Sequence, residues 1–262
     1  MFKSRFQLHV AARFRFAATS FSYLRGNDTY KDGFPMYLEF LQENMMGPNA
    51  WLMAQELTAD LPLQPGMRVL DLGCGRGLSS IFLAEKFKVP VFAVDLWTSA
   101  TENYRRFQQA GVAHLVTPLQ LDALQLPFAH GFFDAVISVD SYHYFGSNDT
   151  YFAEHLKPLL KKDAVVAIAF PGMKYEVHDN IPKEMEPLWP SEALDMWHSI
   201  PWWRPKFQPH LHHFQIGEMD CFDRAWQDWL ACDNPYAAED RVMMDTDNGR
   251  YMNLIKLTGL LS

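Results

Sequence analysis

Val69-Leu70-Asp71-Leu72-Gly73-Cys74-Gly75-Arg76-Gly77-Leu78 is the stretch whose reading decides the fold. It opens on a short apolar run, as suits a buried parallel strand. Three glycines within five residues then let the backbone turn sharply, leaving main-chain N–H groups open to a ligand with no Cβ in the way. Leu78 starts a helical run to Phe87. Strand, glycine turn and helix in this order place a ligand site at the carboxyl end of an open α/β sheet. A glycine turn alone is weak evidence, because dinucleotide enzymes use one too.

Alternation continues on the carboxyl side. Val89 to Leu96 predicts a second strand, and Ser99 through Ala110 a helix with Ser99 as its cap and Glu102 three residues on. His114 to Leu121, Phe133 to Val139 and Ala164 to Phe170 predict strands three to five, with a helix from Asp149 or Thr150 to about Leu160 between the last two. Further on, a strand near Phe214–Met219, a helix from Phe222 to about Ala231 and a last strand at Tyr251–Thr258 follow. Tyr37 to Leu61 reads as helix, broken at Gly47-Pro48. The expectation is an α/β fold: a doubly wound, mostly parallel seven-stranded sheet with a helical, aromatic-rich insertion after strand five.

Three details narrow the ligand. Leu78 stands where a dinucleotide turn would carry its third glycine. Asp71 precedes the glycines, where a carboxylate attracts a cationic group and repels a pyrophosphate. Asp95 ends the second strand, where an acid accepts ribose hydroxyls. A nicotinamide oxidoreductase is the rival, since Asp95 would serve it as well.

Taken with Val94-Asp95, Asp122-Ala123-Leu124-Gln125-Leu126-Pro127-Phe128 and Phe133-Asp134-Ala135-Val136, the opening stretch resembles the serial motifs of class I S-adenosylmethionine-dependent methyltransferases. The match runs in order from about Pro65 to Gly172. The resemblance implies a Rossmann-like methyltransferase fold and S-adenosylmethionine as cofactor. It implies contacts from Asp71, Gly73 and Gly75 at the methionine end, from Asp95 at the ribose and from Asp122 and Ala123 at the adenine, with Leu96 as a further contact. Cys74 in the turn and Ser138 late in strand four join them as candidates. Beyond this core, the chain loosely resembles the glycine/sarcosine and cyclopropane-forming branches.

Methyl transfer is an in-line displacement in which alignment does most of the work, with a base added when the nucleophile arrives protonated. The candidates follow strand four in Asp140-Ser141-Tyr142-His143-Tyr144. His143 is the first candidate base or substrate contact, with Asp140 and Tyr142 beside it as further catalytic candidates and Tyr144 steering the substrate. Glu43 to Asn49 either covers the cofactor or is a kinked packing helix. Residues 173–209 read as a lid or substrate-binding insertion, and Trp197, Trp202 and Trp203 offer ring surface to a flat or cationic acceptor. The same tryptophans would equally serve to pack the insertion onto the sheet. His210, His212 and His213 alternate across a strand, so no metal is expected there.

The 262 residues carry a net charge of −8, but residues 1–27 hold five basic residues and no acid, leaving −13 on the rest. An acidic body disfavours nucleic acid, and no apolar run reaches the ~20 residues of a membrane span. The expected domains are a flexible basic arm at 1–27 and one S-adenosylmethionine-binding domain at 28–262. The arm reads alternatively as a mitochondrial presequence. Cys74, Cys221 and Cys232 form no paired framework and read as reduced thiols of a cytoplasmic protein. The expected function is methylation of a small-molecule acceptor at N or O. Methylation of RNA or protein, and cofactor binding without catalysis, are the alternatives; oligomeric state is not legible.

Overall fold

The computed structural model describes residues 37–262; the basic arm at 1–27 lies outside them. Seven strands form one sheet in the order β3-β2-β1-β4-β5-β7-β6. They are β1 (Val69–Leu72), β2 (Val91–Asp95), β3 (Val116–Gln120), β4 (Phe133–Val139), β5 (Leu160–Met173), β6 (Leu211–Glu218) and β7 (Met252–Leu261). The first five are parallel, while β7 runs antiparallel to both β5 and β6. Helices α1 (Tyr37–Asn44), α2 (Ala50–Leu57), α3 (Leu78–Phe87), α4 (Ala100–Gln109), α5 (Ser191–Leu194), α6 (Ile200–Phe207), α7 (Phe222–Leu230) and α8 (Pro235–Asp247) complete the fold.

The central strands are apolar on both faces because each face is covered, and all four residues of β1 are buried. One core holds Leu57, Ile81, Val91 and Ile137; the other holds Leu70, Val136, Ile168 and Leu257. The doubly wound expectation is met. So is the helix break before α2, where Asn49 Oδ1 caps the backbone N–H groups of Trp51 and Leu52.

Three local expectations need correction. The helix expected from Asp149 or Thr150 is a single π turn (Phe152–Leu156) followed by a 3-10 turn (Lys157–Leu159). Pro158 lacks an N–H and cannot extend an α ladder. Strand β5 runs past Phe170 to Met173. Its pairing with β4 stops at Ala169, so Pro171 faces β7 on one side only and its missing donor costs no ladder bond to β4. Helix α8 is an addition, although Asn234 caps its start ahead of Pro235 and Asn248, at φ 47°, ends it.

Candidate active site

Strand order reverses at β1, which lies between β2 and β4, and an open α/β sheet binds ligands at that switch point. The glycine turn leaves β1 there, and Asp140 to Tyr144 leaves β4 beside it. Gly73 stands at φ 76°, and a Cβ on it would come within 2.3 Å of Ser141 Oγ. Both Ser138 Oγ and Ser141 Oγ donate to the Leu72 carbonyl, at 2.7 and 2.8 Å. The two hydroxyls thus clamp the end of β1 to the segment after β4.

Carboxylates fix the turn from behind. Asp71 is fully buried, and its Oδ2 accepts from Ser79 Oγ at 2.7 Å and Ser80 Oγ at 2.5 Å at the start of α3. Burial raises its carboxyl to about 6, against the lowering by the two serine bonds, and Asp95 adds repulsion. Asp95 Oδ2 accepts from Gly75 N at 2.9 Å, while Oδ1 accepts from Trp97 N at 2.9 Å and Thr98 N at 2.7 Å. A carboxylate has about four acceptor positions, so one on Asp95 is left for a hydroxyl.

The link between α1 and α2 folds over this turn. Arg76 Nη1 donates to Glu43 O at 2.7 Å, and Arg106 Nε donates to Asn44 Oδ1 at 2.8 Å. Arg106 also donates to Asn103 Oδ1 at 2.9 Å, and Asn103 Nδ2 donates in turn to Gly75 O at 2.9 Å. Met46 sits so close that a Cβ on Gly75 would lie 3.2 Å from its sulfur. Residues 43–49 thus lie over the glycine turn, the placement that the covering one of their two readings requires.

Two cavities meet beneath this cover. The first, about 70 Å³, is lined by the glycine turn, Asp95, Trp97, Ser141 and the 44–50 segment. The second, about 420 Å³, extends under residues 187–197 towards Trp226 and α8. Met46, Gly47, Pro48, Asp140 and Tyr144 line both.

Residues 69–163 match the family model described as a methyltransferase domain. The chain thus carries a methyltransferase domain over that stretch, about a third of its length. The cyclopropane-fatty-acyl-phospholipid synthase of Escherichia coli K12 is 29% identical over 174 residues, 60% of this chain and 44% of that protein. The fatty-acid O-methyltransferase of Mycolicibacterium smegmatis is 30% identical over 131 residues, 50% of this chain and 43% of that protein. The chain thus spans less than half the length of these curated relatives. A Haemonchus contortus phosphoethanolamine N-methyltransferase 2, solved with S-adenosyl-L-methionine, superposes with a TM-score of 0.68 at 19% identity, covering 85% of this chain and 55% of that one. At that identity the likeness speaks for the fold alone.

The residues of this site fit a sulfonium cofactor. The first cavity is walled by Asp95 and backed by Asp71, whose Oδ1 is buried and has no hydrogen-bond partner. That negative field suits a cation, and the glycine turn gives its backbone close access. Asp71 itself does not line the cavity: it positions the turn from behind, with Oδ2 held by the serines of α3. Ser138 is likewise fully buried in the clamp and reaches neither cavity. Cys74 lines the first cavity, with burial pushing its thiol up. Leu96 is 49% exposed and lines neither cavity. Asp122 Oδ1 accepts from Leu124 N at 2.9 Å and Ala123 O from Tyr151 Oη at 3.0 Å, both outside the two cavities.

The reaction-side expectations divide. Asp140 lies at the junction, held at φ 56°, and burial with repulsion from Asp240 raises its carboxyl to about 8. His143 lines the acceptor-side cavity with its Nδ1 buried and unpartnered, and burial lowers its pKa to about 3. Tyr144 lines both cavities and meets Trp97 edge to face at 5.3 Å. Tyr142 turns the other way: it is 1% exposed among Phe145, Tyr151, Phe170 and Phe207, in the core and away from the site.

The insertion splits similarly. Trp197 lines the second cavity, whereas Trp203 is fully buried against Phe170 at 4.5 Å. Trp202 stacks on His198 at 3.6 Å, outside both cavities. Sequence reasoning missed Trp97 and the α7–α8 wall of Trp226, Tyr236, Asp240 and Met243. Met46 and Ser141 lay within stretches it singled out, without being given a role of their own. His210 packs near Phe152, and His212 Nε2 pairs with Asp163 Oδ1 at 3.0 Å.

Proposed function

We propose that this protein transfers the methyl group of S-adenosylmethionine to the N or O atom of a small acceptor with an apolar body. The supporting observation is the pair of cavities that share Asp140, Tyr144 and the Met46–Pro48 segment. When bound, the cofactor supplies an electrophilic methyl group on a sulfonium.

The chain's own residues then do three things. The glycine turn, Asp95 and the 43–49 cover hold the donor, with Leu96, Asp122 and Ala123 proposed along its adenine edge. Tyr144, Trp197, Trp226 and Met243 shape an apolar, ring-lined space that fixes the acceptor's approach. Asp140 accepts the nucleophile's proton. Its raised pKa suits that task near neutral pH, where a base works best when its pKa lies close to the operating pH. His143, held neutral by burial, offers a ring nitrogen as a polar contact; burial makes its cation costly, so Asp140 is the better base.

Residues 187–197 act as the lid over the acceptor. The acidic body argues for a small molecule over nucleic acid, and three unpaired cysteines suit a reducing, cytoplasmic compartment. Among the described residues no helix is long and apolar enough to cross a membrane.

The test is to incubate the protein with methyl-labelled S-adenosylmethionine and fractionated metabolite extract, reading products by mass spectrometry. The proposal expects a labelled small molecule and stoichiometric S-adenosylhomocysteine. Label appearing only in RNA or protein would overturn it.

A further inference from the structure

Outside the two cavities, one cluster has the chemistry of a metal site. Glu176 and His178 follow β5, and His198 precedes α6. One potential ligand atom from each lies within 4.8 Å of the others. Glu176 Oε2 is 2.8 Å from His178 Nδ1 and 3.0 Å from His198 Nδ1. The two imidazoles stack at 4.4 Å, and Trp202 backs His198 at 3.6 Å.

Outer contacts aim these atoms inward. Glu176 Oε1 accepts from Ser199 N at 2.7 Å and Ser199 Oγ at 2.6 Å, leaving Oε2 to face the two imidazoles. His178 Nε2 lies 2.8 Å from the Leu194 carbonyl, which can only accept, so this nitrogen carries the proton. In the neutral ring Nδ1 therefore presents a lone pair to Glu176 Oε2. His198 has a backbone hydrogen bond at Asp195 of its own. Metal-binding histidines characteristically spend one ring nitrogen on such a carbonyl and ligate with the other.

Two facing lone pairs need a cation between them or a second proton on the ring. Two imidazoles and one carboxylate are a familiar zinc set that keeps a fourth position open for water. Tetrahedral bonds of ~2.0–2.1 Å put ligand atoms ~3.3 Å apart, so the two Glu176–imidazole separations need open by only a few tenths of an ångström, while the two rings must tilt out of their stack to aim both lone pairs at one ion. We propose that Glu176, His178 and His198 bind a divalent transition metal, zinc by preference, which fastens the chain after β5 to the start of α6. Trp197, the neighbour of His198, lines the acceptor-side cavity, so the metal would brace that wall. The site stands independently of the methyl-transfer reading.

The experiment uses tag-free full-length protein dialysed against chelator and titrated with zinc chloride by calorimetry and with cobalt chloride by visible absorption. The expected result is one zinc per chain, a cobalt spectrum of low-symmetry four- or five-coordinate type, and a raised melting temperature with zinc. Glu176→Gln, which keeps an acceptor for Ser199, and His178→Ala should each weaken zinc at least ~100-fold, because even outer-shell partners cost 10–100-fold. Far-UV circular dichroism checks that both variants fold. Absence of zinc uptake by the unaltered chain, as a doubly protonated His178 would give, overturns the proposal. Uptake that persists in both variants overturns it as well.

Discussion

Asp140→Asn separates the chemistry at the junction from its architecture. Asparagine is isosteric and tolerates the left-handed backbone at φ 56°, so the turn after β4 should survive the change. What is lost is the capacity to take a proton. General-base catalysis contributes ~10²–10⁴-fold, and kcat/KM with the identified acceptor should fall by that order. In the unaltered protein kcat/KM should rise with pH and level off above about 8, and the variant should lose this limb.

Stability supplies a second readout with a fixed sign. The folded carboxyl titrates near 8 and the unfolded one near 3.8. Between those values the folded chain keeps a proton that the unfolded chain has released, so stability falls as pH rises through the window. At ~1.4 kcal/mol per tenfold the ceiling is ~6 kcal/mol, and relaxation should reduce the realised effect to ~1–3 kcal/mol. Asp140→Asn should therefore be more stable than the parent at pH 9 and closer to it at pH 5, by urea unfolding. Turnover and a pH profile like the parent's would refute the assignment of Asp140 as the base.

Gly73→Ala places a Cβ 2.3 Å from Ser141 Oγ at a backbone angle costing ~1–2 kcal/mol, so both the melting temperature and cofactor affinity should drop. Arg106→Ala removes the bonds to Asn44 and Asn103, loosening the cover; cofactor affinity should fall about tenfold by calorimetry, for one charge-assisted bond of ~1.5–3 kcal/mol. Trp197→Ala should raise the acceptor's KM while leaving cofactor affinity alone. By contrast Trp203→Ala should cost ~3–5 kcal/mol of stability, read by chemical denaturation, because that ring is fully buried.

The glycine turn and the central strands were legible because their signals are local. A buried apolar run, glycines at positive φ and an acid at the end of β2 each sit within a few residues of one another. The acceptor side was not legible for the opposite reason: its walls come from residues near 46, 140, 190, 226 and 240, which only the folded sheet brings together. Side-chain direction was the other loss. Tyr142, His143 and Tyr144 are consecutive, yet a 3-10 turn sends the first into the core and the next two to the cavity wall. Trp202 and Trp203 were read from ring chemistry, although the phase of α6 turns one into the core and the other onto His198. For α8 the sequence did hold a signal, in Asn234-Pro235 and Asn248-Gly249, but acidic residues blur the apolar stripe between them.

The central claim is that the turn at Gly73–Gly77, with Asp95, holds S-adenosylmethionine. Calorimetry of the purified chain with S-adenosylmethionine and, separately, with NAD tests it most directly. One S-adenosylmethionine site per chain, weakened at least tenfold by Asp95→Asn and matched by no uptake of NAD, is the predicted result. Tight NAD binding with none for S-adenosylmethionine would contradict the account.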